Sequence, residues 1–172
     1  MTHTAADALD IRDARLDDAP ALVAIYNHFV DHTIVTFEEA PVPAADFARR
    51  MQAITDATLP YLVAERRGQV VGYASATRWK ERSGYRFAVE ATVYLAPDEA
   101  GRGLGSALYA ALFERLEAWG AHTVMGGIAL PNDTSVALHE KFGMRKVAHF
   151  EAVGFKFGRW IDVGYWQRVL QQ

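Results

Sequence analysis

Phe87-Ala88-Val89-Glu90-Ala91-Thr92-Val93-Tyr94-Leu95 runs into Ala96-Pro97-Asp98-Glu99-Ala100-Gly101-Arg102-Gly103-Leu104-Gly105-Ser106, and the reading of this stretch decides the fold. The first part is rich in Val, Thr and Tyr and reads as a strand. Pro97 stops it. From Gly101 to Trp119 the pattern becomes helical: Leu104, Leu108, Ala111, Leu112, Leu116 and Trp119 fall on one stripe, and Gly120 closes it. A strand therefore feeds a helix through a glycine-rich turn. Such a turn presents backbone N–H groups at the helix N-terminus, where the dipole favours an anion. Glycines let the backbone approach a diphosphate closely, and Arg102 adds positive charge. The turn lacks the lysine of the Walker pattern. Its Gly-x-Gly-x-Gly spacing is not the Gly-x-Gly-x-x-Gly of a dinucleotide fold. On this pattern alone, a turn that binds nothing is an equal alternative.

Outward from this centre the chain alternates short elements. Asp10–Ala14 reads as a first strand. Residues 17–30 read as a helix, with Asp17, Asp18 and Pro20 as start signals and Leu22, Ile25, Tyr26 and Phe29 on its apolar face. The loop 31–42 leads to a second helix, Pro43–Ile54, with Phe47, Met51 and Ile54 on one side. Tyr61–Glu65 and Gln69–Thr77, joined by Arg67-Gly68, read as a hairpin. Trp79–Gly84 is polar and irregular. Beyond the long helix come a strand, Thr123–Leu130, a short helix, Asn132–Phe142, and two strands, Arg145–Val153 and Trp160–Leu170. Gly143 stops the short helix, and Asn132 or Asp133 caps it. The layout is α+β, or mixed α/β, around one sheet.

The 172 residues fit one domain, with residues 1–9 as a loose leading segment. Apolar residues make up 51% and charged residues 23%, an ordinary globular balance. The net charge of -3 argues against a nucleic-acid binder. The chain has no cysteine, which removes disulfides, thiolate metal sites and a cysteine nucleophile. No run is long and apolar enough for a membrane span, and the first ten residues lack the basic and apolar regions of a signal peptide. A cytoplasmic location is the expectation. No histidine pair has convincing metal-ligand spacing, so no metal is expected.

Val93-Tyr94-Leu95 followed by Gly101-Arg102-Gly103-Leu104-Gly105-Ser106-Ala107-Leu108 resembles the coenzyme A loop of the GNAT acetyltransferase superfamily. Ala100 stands where that loop has Gln or Arg. Further stretches resemble the phosphinothricin N-acetyltransferase family, which includes acetyltransferases acting on methionine sulfoximine and methionine sulfone. They are Asn27-His28 with Thr36-Phe37, Tyr61–Glu65, Trp79-Lys80, Glu90 with Thr92-Val93-Tyr94, Leu130–Asp133, and Gly154–Trp160 with Asp162-Val163-Gly164. The match runs from about Asp10 to about Gln167. The resemblance implies a GNAT fold, with a mixed seven-stranded sheet splayed between its fourth and fifth strands and flanked by about four helices. It also implies a homodimer.

The resemblance also implies roles. The pantetheine arm of acetyl-CoA would lie along Val93, Tyr94 and Leu95. Its pyrophosphate would sit on Gly101, Arg102, Gly103, Leu104, Gly105 and Ser106. Asn132, with Ser135 beside it, would hold the pantetheine, although on spacing Asn132 is more simply a helix cap. An ammonium has no lone pair, so a base is needed. Glu90, a carboxylate among apolar strand residues, is the candidate, and partial burial would raise its pKa, although on pattern alone a glutamate facing outward from a half-exposed strand is an equal alternative. His139 would serve as general acid or substrate contact, the alternative being a histidine packed on a helix face. Lys80 and Arg82 would hold an acidic group of the acceptor, Tyr85 and Phe87 would form walls, and Phe37 would lie over the pocket. Transfer would be direct. The alternatives are a non-catalytic acyl-CoA sensor and an acetyltransferase for a peptide N-terminus or another metabolic amine. For the C-terminal aromatics Phe155, Phe157, Trp160, Tyr165 and Trp166, core packing is the first expectation, with any surplus at a dimer face.

Overall fold

The central strands are buried along nearly continuous runs and so demand cover on both sheet faces, which four helices supply. The structure, a computed structural model, describes residues 8–170. In chain order the elements are β1 (Leu9–Asp13), α1 (Ala19–His32), α2 (Ala44–Asp56), β2 (Tyr61–Arg66), β3 (Gln69–Arg78), β4 (Ala88–Leu95), α3 (Leu104–Trp119), β5 (Thr123–Ala129), α4 (Asp133–Lys141), β6 (Arg145–Lys156) and β7 (Arg159–Val169). The seven strands form one sheet in the order β1-β2-β3-β4-β5-β7-β6. All neighbours are antiparallel except β4 and β5, which run parallel.

The parallel pair is short. It holds only Ala88 to Thr123, Val89 to Val124 and Glu90 to Met125. Beyond Glu90 the two strands diverge, while β4 keeps its pairing with β3 as far as Leu95. The sheet is therefore splayed between its fourth and fifth strands, as the resemblance implied.

Side chains alternate across the strands and separate two cores. On one face Leu104, Leu108, Leu112 and Leu116 of α3 pack on Ala74, Ala76, Val89, Ala91, Val124 and Ile128. On the other, Leu22 and Ile25 of α1 and Phe47 and Met51 of α2 pack on Tyr61, Val63 and Tyr73.

Several boundaries differ from the sequence reading. The first strand begins at Leu9, so residue 9 is not part of a loose segment, and residues 1–7 of that expected segment lie outside the described residues. The helix expected from Gly101 opens at Leu104, because Gly101 and Gly103 take φ of 76° and 77°. Phe87 precedes β4, and a short 3-10 turn, Ser83–Tyr85, forms in the segment expected to be irregular. β6 continues to Lys156 because a register shift between Phe150 and Gly154 absorbs its irregular stretch. Core packing holds for Trp166 but not for Phe155, Phe157 or Trp160, which is 67% exposed. Those three sit on the β6–β7 hairpin at the sheet edge.

Candidate active site

At the glycine-rich turn, no side chain caps the N-terminus of α3. The first N–H groups of a helix have no intrahelical partner, so this end presents free donors. Ser106 lies in the first turn, and its hydroxyl accepts a hydrogen bond from Lys141 Nζ at 2.9 Å. A lysine from the end of α4 is thus brought to the turn. Arg102 leans the other way, 3.7 Å from Glu99, which also binds Arg66 at 2.5 Å. The splay leaves Val93, Tyr94 and Leu95 on an open strand edge with unpaired backbone groups. An extended chain ending in a diphosphate fits these features: strand-like pairing along β4, then an amide-lined helix end.

Asn132 is the N-cap of α4, accepting from the Ser135 backbone N–H at 3.1 Å. His139, one turn on from Ser135, is only 4% exposed. Its Nδ1 lies 2.7 Å from the Ser135 carbonyl oxygen and its Nε2 3.0 Å from the Tyr109 hydroxyl. The carbonyl can only accept, so Nδ1 carries the proton and Nε2 accepts from Tyr109. Burial holds the ring pKa below its usual value and keeps it neutral. The residue expected as an acid or substrate contact is thus bonded at both nitrogens.

Glu90 is the last residue of β4 paired with β5 before the splay and is half-buried. Burial raises its pKa above the ordinary carboxylate value, and the charge of Lys80 opposes that rise. Its Oε1 would be 3.2 Å from a Cβ at Gly127, where the Tyr165 ring also lies. Tyr165 meets Trp79 edge to face at 5.2 Å, and Lys80 Nζ stands 4.9 Å from the centre of the Trp79 ring. The structure thus brings Glu90, Lys80, Trp79 and Tyr165 together. Arg82, Tyr85 and Phe87 are exposed on the following loop, and no hydrogen bond or ion pair among the described residues ties them to Glu90. Phe37, on the loop between α1 and α2, packs on Gly154 of β6, where a Cβ would collide with its ring. Buried Lys156 fastens that loop by donating to the Thr36 carbonyl at 2.8 Å.

Sequence reasoning missed four residues here. Gly126 and Gly127 sit back to back in β5: His139 fills the space on one face, Glu90 and Tyr165 the space on the other. Two glycines inside a strand disfavour it and mark a close approach, so the signal was present. Tyr109 and Lys141 gave none, since each looks like an ordinary helical residue. Among the described residues, no group of three or more His, Asp or Glu is placed to hold a metal ion.

The model of the acetyltransferase (GNAT) domain matches residues 11–164. The chain belongs to the GNAT acetyltransferases. Within them it falls among the phosphinothricin and methionine sulfoximine/sulfone N-acetyltransferases. A phosphinothricin N-acetyltransferase of Alcaligenes faecalis is 42% identical over 95% of this chain and 83% of its own. An L-methionine sulfoximine/L-methionine sulfone acetyltransferase of Pseudomonas aeruginosa is 39% identical over 91% of this chain and 92% of its own. A GNAT phosphinothricin acetyltransferase of Sinorhizobium meliloti, solved with acetyl-CoA, superposes with a TM-score of 0.91 at 38% identity, covering 94% of this chain and 88% of that one. This GNAT chain is an acetyl-CoA-dependent N-acetyltransferase, and the alternative of a non-catalytic acyl-CoA sensor falls away. Among the described residues, no helix is long and apolar enough to cross a membrane.

Proposed function

We propose that the chain moves the acetyl group of acetyl-CoA directly to the α-amine of a small amino-acid-like acceptor, of the phosphinothricin, methionine sulfoximine or methionine sulfone type, with Glu90 as general base. One observation carries this reading: a half-buried carboxylate of raised pKa stands at the point where β4 and β5 part. The α-amine of such an acceptor is mainly protonated at neutral pH. Glu90 takes the proton, either directly or through a water, and frees the lone pair for attack. Acetyl-CoA supplies the thioester, bound along Val93, Tyr94 and Leu95 with its diphosphate on Gly101 to Ser106. Lys141 adds a cation there, and Asn132 with Ser135 steadies the arm from the far side. Direct transfer fits a chain that has no cysteine to carry an acyl group.

His139 enters this reading as a positioning residue. Neutral and bonded at both nitrogens, it ties α4 to Tyr109 of α3 behind the fork. Lys80 and Arg82 meet the acceptor's anionic groups, and Tyr85 and Phe87 border them. The loop carrying Phe37, held by Lys156, closes that side and favours a small acceptor over a peptide terminus. The same reading makes the chain a single-domain cytoplasmic homodimer, paired through Phe155, Phe157 and Trp160.

Thiol release from acetyl-CoA against a panel of these amines tests the proposal. Glu90→Gln is expected to lower kcat by about 10²–10⁴-fold and to leave coenzyme affinity intact. A variant with wild-type kcat would refute the base assignment. Sedimentation of the pure protein tests the dimer.

A further inference from the structure

A cavity of about 600 Å³ opens on the Glu90 face of the sheet. Thr77 lines it and sits directly opposite Glu90 in the β3–β4 register. Facing Cβ atoms in such a pair are about 5 Å apart, so the cavity begins beside the carboxylate. It runs past the paired Ser75 and Thr92 to the paired Tyr73 and Tyr94, with Tyr61 alongside. From the Thr77 row to the Tyr73 row is about 13 Å of strand. The α-amine of an acceptor with a short side chain, held at Glu90, places its polar head near Ser75 and Thr92. The tyrosine end lies further in.

That end is built from rings. Tyr61 stacks on Tyr73 at 5.8 Å and Tyr73 on Tyr94 at 5.4 Å between centroids. Tyr61 and Tyr73 are more than nine-tenths buried, yet neither hydroxyl has a hydrogen-bond partner among the described residues. Neither is sealed within the protein. Both residues line the cavity. Tyr26, by contrast, commits its hydroxyl to Thr36 and Glu38. A hydrocarbon group pushed into this end would strip the water from two phenols and leave them unpaired, which is unfavourable. A flat ring with a polar group at its edge stacks on the floor and satisfies them.

We propose that this cavity receives the side chain of an aromatic amino-acid acceptor bearing a polar ring group, of the tyrosine or tryptophan class. The acceptor range then extends beyond short polar side chains. The proposal rests on the reading of Glu90 as base to the acceptor amine.

The test compares kcat/KM for L-tyrosine, L-tryptophan, L-phenylalanine and L-methionine sulfone in the wild type, Ala53→Trp and Tyr73→Phe. Ala53 is an exposed residue of α2 at the cavity wall, so the larger ring fills space without entering the core. Tyrosine and tryptophan should be acetylated, with phenylalanine about tenfold poorer. Ala53→Trp should lower the tyrosine to methionine sulfone ratio by about tenfold or more, and Tyr73→Phe should narrow the gap between tyrosine and phenylalanine. Transfer to methionine sulfone but not to tyrosine or tryptophan overturns the cavity assignment and leaves the acetyl-transfer reading standing. So does a tyrosine ratio indifferent to Ala53→Trp. Transfer to no amine removes that reading. Saturation-transfer NMR with L-tyrosine and no acetyl-CoA then decides the cavity: ring signals lost in Ala53→Trp support it, and their absence in the wild type ends it.

Discussion

Gly126→Ala and Gly127→Ala, one methyl each at adjacent positions, should produce opposite phenotypes. At 126 the new Cβ would lie 2.5 Å from His139 Cδ2 and 2.6 Å from Nε2. Carbon atoms rest at about 3.5–4.0 Å, so the ring must withdraw by about 1 Å. It is held at 2.7 Å by the Ser135 carbonyl and at 3.0 Å by Tyr109, with no exposed side to move into. At least one of these buried bonds must break, at about 1–3 kcal/mol. For a protein of this size each kcal/mol shifts Tm by about 2–4 °C, so the expected loss is roughly 2–12 °C. At 127 the Cβ meets Tyr165 at 3.1 Å and Glu90 Oε1 at 3.2 Å, the ends of half-exposed side chains that can give by a few tenths of an ångström. Tm should hardly move, while kcat falls as the carboxylate is pushed from its place. Thermal unfolding and thiol release, measured side by side, separate the two. If Gly126→Ala keeps the wild-type Tm, or if Gly127→Ala melts early with normal kcat, the two-faced reading of β5 is wrong.

Other outcomes follow from the same geometry. Lys80 opposes the rise in the Glu90 pKa, so Lys80→Met should move the acidic limb of the kcat/KM–pH profile upward; a downward shift would place the base elsewhere. His139 is kept neutral with a folded pKa below 6.5, so the unfolded chain binds the extra proton first. Stability from this site is therefore complete above about pH 6.5 and lost as pH falls through the folded value. His139→Phe should flatten that slope in urea titrations at pH 5 to 7, whatever it does to the overall midpoint. Lys141→Ala should weaken coenzyme A binding by up to about fivefold, less at high salt, as calorimetry at two ionic strengths would read.

The sheet was legible because its signals are local. Alternation in 87–95, the Leu stripe of α3 and the glycines before it each follow from residues a few positions apart. Glu90 stood out as a carboxylate with apolar neighbours, but the pattern alone left an outward-facing glutamate equally open, and its role as base came from the family resemblance. The Tyr109–His139 bond joins residues 30 apart, and the Lys141–Ser106 bond residues 35 apart. No periodicity encodes either. His139 shows the limit clearly: a family position suggests a proton donor, but only the packing shows that its Nδ1–H already donates a hydrogen bond to a carbonyl on its own helix. The exposed rings of the β6–β7 hairpin were hidden for a related reason. Strand pattern shows where rings lie along a strand, and only the assembled sheet shows that no helix covers them.

Glu90 owes its raised pKa to burial, and the charge of Lys80 opposes that rise. A cation close enough to hold the acceptor's carboxylate is close enough to weaken the base. The conflict resolves if both ends of the acceptor arrive together. A carboxylate seated on Lys80 neutralises the charge that depresses Glu90, and the base regains its affinity for the proton just as the ammonium comes within reach. An amine without that carboxylate would meet a weaker base even if it occupied the same place. On this logic, discrimination for amino-acid-like acceptors lies in the electrostatics of the proton transfer as well as in the fit of the pocket. Lys80, Glu90 and the acceptor's own carboxylate then act as one unit at the fork of the sheet.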